Sequence, residues 1–408
     1  MHPCHYTITR KDVDRHLTHR LRKYLKLRDY GRTCSADCLV RILAAAAAQR
    51  LSVHGICQQL QGPSDETVRQ ALQANLPDAP QLQRRLNQAL AADLPRPLRK
   101  GRYDWALDVD QLPYHGKPHA SADELVRGQP KGGTTHFHAY ATLAILRPGR
   151  RFTLALTWVR ANESMAQVVQ RLLRQAWALR LRPRRLLLDR GFFSVAVVRY
   201  LQAAHVPFLL AMPIRGRKAN PPKPAGSTRA LCQGRQSRFT SYCWRDAEGR
   251  PVRVKVAVIY CPKRARQQKK PPPRAWARRR RNEVPFELYA YGGWQPKSPQ
   301  RLRRVYRRRF GIESSYRQVN QARMRTSTRD PVVRLLYVGL ALLLRNVWVW
   351  LHYAVLSGPR RGGRIFRWGC LRLAQLLVWL WQVAECYFGV RNRVGTQRPP
   401  PKDLRSVV

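Results

Sequence analysis

Acidic residues are scarce in this sequence, which has 23 Asp plus Glu against 77 Lys plus Arg in 408 residues. The net charge of +54 is far larger than solubility requires, so we expect the chain to bind a polyanion. Nucleic acid is the leading partner, because binding to phosphates releases condensed counterions. A membrane-surface protein is the alternative, but the N-terminal MHPCHYTITRKD contains no basic amphipathic helix, lipidation signal or apolar signal segment.

Signatures of several other protein classes are also missing. Polar residues interrupt the most apolar segment, 335–356, and its uncharged run of ten residues is shorter than the roughly 18 needed to cross a bilayer. A buried core helix is therefore predicted. The nine cysteines are scattered, with only Cys34 and Cys38 close together, and no serine-hydrolase or P-loop motif is present. These features predict a protein without a membrane span, cytoplasmic and associated with the nucleoid, with reduced thiols.

Composition shifts divide the chain into the regions 1–98, 99–213, 214–300, 301–357 and 358–408. The first region is rich in helix formers, and LSVHGICQQLQGPSDETVRQALQANL predicts two short helices that begin after Ser52 and Ser64. This pattern is typical of a helix-turn-helix, with Arg69, Gln70 and Gln73 placed to reach base edges. A helical hairpin that binds nothing has the same pattern.

The second region predicts an α/β layer. Three β-rich runs, WALDVD, FHAYATLAIL and RFTLALTWV, precede two helical segments that alternate with the strands RRLLLD and VPFLLAM. This order indicates a mixed sheet flanked by helices. The third region predicts a β-rich basic insertion with a basic arm between Lys263 and Arg281. Helical pattern resumes at about residue 301 and continues to Phe388, and the tail TQRPPPKDLRSVV is expected to be unstructured.

Carboxylates on apolar strands need a compensating charge. Asp108 and Asp110 share one face of WALDVD, Asp189 ends the strand LLLD, and Glu313 is the one acid in YRRRFGIESSYRQVNQARMRT. The structural alternatives are a loop cap for Asp189 and a solvated helix acid for Glu313, paired with an arginine one turn away. If the Glu313 helix packs on the sheet, the carboxylates converge and suit two divalent cations, for which hard oxygen ligands favour Mg²⁺.

These segments resemble those of DDE transposases of prokaryotic insertion sequences. WALDVDQLPYHGK is similar to the segment of the family's first Asp, LLLDRGFFS to that of the second, and residues 306–326 to the signature helix with Tyr, Arg, Glu and Lys. Tyr306, Arg309 and Glu313 match that signature, whereas Asn320 stands in the place of its Lys. The four positions share one stripe of a helix. The resemblance places near DNA the signature-helix residues Tyr306, Arg309, Asn320, Arg317 and Arg323.

The resemblance implies a ribonuclease H-like core in two parts, 99–213 and 301–357, interrupted by the β-rich insertion. It implies that Asp108, Asp189 and Glu313 are catalytic and hold two Mg²⁺ or Mn²⁺ ions. Three apolar or small residues precede Asp108, as in the family, and Asp110 is the alternative. The implied activity is cleavage of DNA at the ends of a mobile element and strand transfer into target DNA, by a homodimer bound to double-stranded DNA.

Two further expectations complete the sequence-based interpretation. Related transposases stack a flipped base on an aromatic side chain, for which Trp294 and Trp244 are the candidates, with core packing as the alternative for each. The alternatives for function are a nuclease on the same fold, which would cut without joining, and an inactive or domesticated transposase that acts only as a DNA-binding protein.

Overall fold

The computed structural model describes residues 7–147, 150–216, 227–246, 248–262, 285–361 and 363–393. The predicted basic arm between Lys263 and Arg281 and the predicted tail from Thr396 lie outside these residues. The chain divides into two compact units, a helical unit, Met1–Ala89 with Gln318–Val408, and a sheet unit, Leu90–Arg317.

Most helices and strands follow the sequence-based expectations in type and order; the exceptions are strand β2 and the helix predicted for the signature, which is broken in two. The helices are α1 (Arg10–Leu25), α2 (Ala36–Gln49), α3 (Val53–Gln59), α4 (Asp65–Asn75), α5 (Ala79–Ala92), α6 (Arg96–Lys100), α7 (Met165–Ala178), α8 (Val195–Ala203), α9 (Pro299–Arg307), α10 (Phe310–Val319), α11 (Pro331–Ala354) and α12 (Leu373–Phe388). The strands are β1 (Asp104–Pro113), β2 (Val126–Lys131), β3 (Thr134–Arg147), β4 (Arg150–Val159), β5 (Arg185–Leu188), β6 (Phe208–Met212), β7 (Arg238–Arg245), β8 (Pro251–Tyr260), β9 (Phe286–Gly292), β10 (Gly358–Arg360) and β11 (Gly363–Ile365).

The helical unit contains α1 to α4, most of α5, α11 and α12, and the β10–β11 hairpin. The two predicted N-caps are confirmed: the Ser52 side chain accepts a hydrogen bond from the Gly55 amide, and the Ser64 side chain accepts one from the Thr67 amide. Alanine side chains of α2 are buried, and α12 packs along this helix. Small side chains allow two helices to approach closely. The alanine run of α2 therefore suits close packing against α12.

Helix α11 carries the apolar segment that was predicted to be a buried core helix. Its length and composition would also suit a membrane span, but 78% of its most apolar window is buried inside the protein. The polar residues that interrupt this segment, Arg345, Asn346 and His352, are buried too. Gln318 accepts a hydrogen bond from Arg345, and His352 lies 2.8 Å from the Leu371 carbonyl oxygen. These contacts are those of a buried core helix.

The sheet unit is built on a mixed sheet that joins nine strands among the described residues. Its order is β2-β3-β1-β5-β6-β9-β8-β7, and β4 also pairs with β3. Strands β1, β3 and β4 are antiparallel neighbours, and β5 and β6 continue the sheet parallel to β1. The order β4-β3-β1-β5-β6 is that of a ribonuclease H-like core. Strands β7 to β9, from the predicted β-rich insertion, extend this same sheet through the pairing of β9 with β6.

Helices α9 and α10 cover one face of the sheet through Leu302, Val305, Tyr306 and Ile312. The expectation of one continuous helix through the signature is wrong, because α9 ends at Arg307 and α10 begins at Phe310. Across the junction, amide groups bond to carbonyl groups three residues back, as in a tight 3₁₀ turn. The junction points the side chains of the consecutive residues Arg308 and Arg309 toward β1.

Candidate active site

The register of two neighbouring strands brings the first two predicted carboxylates together. β1 and β5 are parallel, and Leu107 is in register with Leu188. Asp108 and Asp189 are the next residues of the two chains, so the spacing of neighbouring strands puts their backbones about 5 Å apart. Asp189 is the first residue after β5, and its carboxylate accepts a hydrogen bond from the Gly191 amide. Asp189 therefore caps the turn that follows β5, and it also lies beside Asp108.

Arg309 joins the third predicted carboxylate to the first. Its Nη2 donates to Glu313 Oε1 at 3.0 Å, and its Nη1 lies 3.4 Å from Asp108 Oδ2. Glu313 is thus paired with an arginine one helical turn away, as in the structural alternative. The arginine, however, is buried, with 6% of its surface exposed, and it also pairs with a strand carboxylate. Glu313 therefore belongs to a partly buried charge cluster.

The Arg309 guanidinium is held between aromatic rings as well as carboxylates. Its central carbon lies 5.7 Å from the centroid of the Tyr306 ring and 5.6 Å from that of Phe310. Tyr306 is itself buried and packs on Tyr289, with ring centroids 4.7 Å apart. Two of the signature residues predicted to lie near DNA are therefore buried beside the carboxylates.

Burial changes the protonation of Asp108. It raises the pKa of this carboxyl from 3.8 to about 6; the Arg309 charge opposes the rise, while Asp189 and Glu313 add to it. Asp189 and Glu313 therefore lie close enough to Asp108 to affect the pKa of its carboxyl. Burial also raises the pKa of the Tyr306 hydroxyl to about 12.

The raised pKa of Asp108 predicts a pH-dependent gain of stability for Asp108→Asn. Because the pKa is 3.8 in the unfolded chain and about 6 in the folded protein, wild-type stability is lost as pH rises through this range. Asparagine resembles the protonated acid, so the variant should be more stable than wild type by about 2–3 kcal/mol at pH 8. The gain should vanish near pH 4. Thermal unfolding at both pH values, with EDTA present, measures this; an equal effect at both would contradict it.

Tyr316 fixes the helix of Glu313 against the strand of Asp108. Its hydroxyl donates to the Asp108 carbonyl oxygen at 3.1 Å and lies 2.7 Å from Thr142 Oγ1 on β3. Tyr316 is three residues after Glu313, so both side chains lie on one side of α10. Asp110 shares the face of Asp108 and lies near Tyr316, whereas the ion pair with Arg309 is made by Asp108.

A second charge cluster lies four residues earlier on β1. Asp104 and Arg185 are cross-strand neighbours joined by two hydrogen bonds, Nε to Oδ1 at 2.8 Å and Nη2 to Oδ2 at 2.9 Å. Arg308 Nη1 donates to Asp104 Oδ2 at 3.1 Å. Arg308 and Arg309 therefore contact carboxylates roughly 13 Å apart along one strand face, and the junction of α9 and α10 is fixed at two points.

Trp294 belongs to this second cluster. Its ring lies under the Arg185 guanidinium, 4.7 Å from ring centroid to the central guanidinium carbon, and its Nε1 donates to the Phe208 carbonyl oxygen at 3.1 Å. It thus lies near the starts of β1 and β5, whereas Asp108 and Asp189 lie near their ends. Trp244, on β7, is placed differently. Its ring stacks on that of Phe193, with centroids 4.9 Å apart, and Phe193 lies in the loop that begins with Asp189.

The remaining predicted DNA contacts lie in different surroundings. Arg317, on α10, is exposed. Within the helical unit, Arg323 is half-buried, and the side-chain oxygen of Asn320 is buried without a hydrogen-bond partner among the described residues. Gln73 is exposed on α4, whereas Arg69 pairs with Asp65 and Glu66, each at 2.9 Å.

A cleft of about 230 Å³ opens beside Asp189. Its lining includes Asp189, Arg190, Glu287, Arg309 and Phe310. Phe310 is 50% exposed, so an apolar ring stands at the rim. Larger grooves lie elsewhere in the molecule.

The donor set fits divalent cations, although the arrangement is not that of a filled metal site. In the part of the chain that the structure describes, no three acidic, His or Cys side chains are grouped closely enough to hold one ion. The reason is visible at Asp108 and Glu313, where the Arg309 guanidinium occupies the space between the carboxylates. The buried Arg309 guanidinium already bridges oxygens of Asp108 and Glu313. A site that holds one positive charge through carboxylate oxygens suits hard metal ions.

Comparison with known proteins identifies the family. The family model described as transposase DDE domain matches residues 101–347, more than half of the chain. The chain belongs to this family of transposases. A solved structure similar to this transposase-family chain is the cryo-EM structure of a piggyBac transposase synaptic complex with hairpin DNA, with 11% identity and a TM-score of 0.52. That match covers 100% of this chain and 86% of the other, and it supports the shared fold. No curated protein matches the chain.

Several site residues of this DDE transposase-family chain were missed by sequence analysis. Tyr316, Thr142, Asp104 and Arg185 position the carboxylates or their helix, and none was singled out. For Tyr316 a signal existed, because its spacing from Glu313 puts it on the same helix face. For Asp104 the signal was its place on the face of Asp108, four residues along the same strand.

Proposed function

We propose that this protein is an active transposase that cleaves DNA at the ends of its own element and joins them to target DNA. The observation that carries the proposal is the cluster around Arg309, in which carboxylates of β1 and α10 meet next to the carboxylate that follows β5. Three acids from distant parts of an acid-poor chain share one partly buried site. A structural role alone would not require a third carboxylate beside one buried arginine.

Asp108, Asp189 and Glu313 would hold two Mg²⁺ or Mn²⁺ ions, with Asp108 rather than Asp110 as the ligand of β1. When bound, such ions supply activation of an attacking oxygen and stabilisation of a leaving oxygen. In their absence, Arg309 would hold Asp108 and Glu313 together through its two ion pairs. Tyr316 would hold Glu313 at a fixed distance from β1 throughout.

The reaction would consist of two phosphoryl transfers. Water attacks phosphorus at the element end, the bond from phosphorus to the 3′ oxygen breaks, and a 3′ hydroxyl is released. That hydroxyl then attacks phosphorus in the target strand, so one phosphodiester bond replaces another and no nucleotide triphosphate is needed. Two chains, each holding one element end of an insertion sequence, would act as a homodimer on nucleoid DNA in the cytoplasm.

The DNA would lie over the cleft beside Asp189, with its phosphates near the exposed Arg190 and Arg317. Tyr306 and Arg309 would contact the strand only where it enters the cleft, because both are buried. Arg323 and Asn320 would contact DNA from the helical unit, as would Gln73 of α4, whereas Arg69 is held by Asp65 and Glu66. Of the two tryptophans, Trp244 suits base stacking, since it adjoins the loop of Asp189, whereas Trp294 is fixed under Arg185.

A strand-transfer assay with the element's own ends tests this function. With Mg²⁺, the purified chain should release the 3′ ends and join them to a target plasmid, and EDTA should abolish both steps. Sequencing of the junctions identifies joining. Cleavage without joining would favour the nuclease, and binding without cleavage would favour the inactive DNA-binding protein; either result would contradict the proposed function.

A further inference from the structure

Helices α1 and α4 of the helical unit are both candidate surfaces for DNA, and their charges differ. The surface first predicted is α4, which carries Asp65 and Glu66 against the single base Arg69. Arg69 pairs with both acids, and Gln70 donates to Glu66. A phosphate approaching α4 would therefore meet a cation that is already neutralised.

Helix α1 has the opposite balance. Its sequence, RKDVDRHLTHRLRKYL, carries six Arg or Lys residues and two Asp residues. At 100° per residue, five positions fall within an arc of about 120° and span about 18 Å along the helix. We call this the α1 basic face, formed by Lys11, Arg15, His19, Arg22 and Lys23.

The acids near the α1 basic face already have partners, one of which, Arg22, belongs to the face itself. Asp12 accepts hydrogen bonds from Thr9 in the capping box at the start of the helix. Asp14 pairs with Arg41 at 2.9 Å, and Asp37 pairs with Arg22 at 2.8 Å. Among the described residues, no ion pair is made by the exposed cations Lys11, Arg15 and Lys23. Their charges are therefore available to an external anion.

The shape and polarity of this surface select the partner. The basic face borders an open groove of about 790 Å³ between α1 and the start of α2, lined by Lys11, Arg15, His19 and Lys23. The apolar residues of α1, Val13, Leu17, Leu21 and Leu25, are all buried. A membrane-binding helix would need them at the surface, whereas a row of cations on a rigid helix suits the phosphates of a duplex.

We infer that the α1 basic face, rather than α4, is the principal phosphate-binding surface of the helical unit, and that it binds the backbone of double-stranded DNA. The inference rests on the proposed function only for the choice of DNA as the polyanion. It assigns α4 at most a contact through Gln73, which is exposed.

The test is the salt dependence of DNA binding by the full chain, measured by fluorescence anisotropy with a labelled random-sequence duplex in EDTA. The triple variant Lys11→Ala, Arg15→Ala, Lys23→Ala should lower affinity at least tenfold. It should also reduce the slope of log K against log salt by about two to three units, since each lost phosphate contact removes about 0.9. Arg69→Ala should change neither quantity appreciably, because its charge is already paired.

A matched control removes the same charge from the hairpin of the same unit. Arg360→Ala, Arg361→Ala, Arg367→Ala changes three exposed arginines and should keep nearly the wild-type slope. Equal losses in both triple variants would show that net charge alone matters and would overturn the inference, as would an unchanged α1 variant. If the alanine variant melts early, glutamine at the same three positions gives the same test. Because EDTA prevents catalysis, failure of the strand-transfer assay leaves this measurement unaffected.

Discussion

Glu313→Gln should lower DNA cleavage and strand transfer by about 10³-fold or more, because ligand charge at a two-ion site supplies much of the barrier reduction. Glutamine keeps the size of the side chain and still accepts a hydrogen bond from Arg309, so the fold should survive. Affinity for DNA in EDTA should stay at or slightly above the wild-type value, since a negative charge near phosphate is removed. Single-turnover cleavage of an element-end duplex measures the first effect, and anisotropy measures the second.

Asp110→Asn is the matched control for this experiment. Asp110 lies on the same strand face as Asp108, but the pair with Arg309 is made by Asp108. Asp108→Asn should therefore match Glu313→Gln in its loss of activity, while Asp110→Asn should retain most of it. A large loss in Asp110→Asn with activity kept in Asp108→Asn would move the ligand to Asp110. Full activity in Glu313→Gln would show that Glu313 is not a metal ligand and serves only as the ion-pair partner of Arg309.

The strands of the core and the acids on them could be predicted because both depend on local sequence. Apolar runs with β-branched and aromatic residues identify buried strands, and an acid such as Asp108 stands out in them. The pairing of β9 with β6 could not be predicted, because strand pairing is set by contacts distant in sequence. Strand β2 was missed for another reason: VRGQPK contains Gly and Pro and has little burial.

The role of Arg309 shows where motif spacing stops being informative. Its position in the signature predicted a side chain on a helical stripe facing DNA. The break between α9 and α10 turns it instead onto Asp108, and burial makes its charge a counter-ion for carboxylates. A run of arginines does not indicate which of its side chains is buried. In the structure Arg308 pairs with Asp104 and Arg309 pairs with Asp108, and these contacts distant in sequence set the surroundings of each arginine.

The buried pair of Asp104 and Arg185 should have the largest effect on stability of any ion pair among the described residues. Asp104→Ala leaves the Arg185 guanidinium buried without its partner, and breaking a buried pair in this way costs about 3–5 kcal/mol. Arg185→Met should cost less, because Arg308 still reaches Asp104 from the surface, where its side chain is 53% exposed. Urea unfolding of the full chain in EDTA gives the free energies of both single variants.

The double variant Asp104→Leu, Arg185→Met decides whether the cost comes from an unpaired charge or from lost packing. Two apolar side chains of similar volume leave no buried charge, so the double variant should be more stable than Asp104→Ala, by about 2 kcal/mol or more. Trp294 packs on Arg185 and provides an apolar surface for the methionine. A double variant no more stable than Asp104→Ala would mean that the cost comes from lost packing rather than from an unpaired charge. Because Arg308 loses its partner, the junction before α10 should loosen, and DNA cleavage at elevated temperature should fall before the protein unfolds.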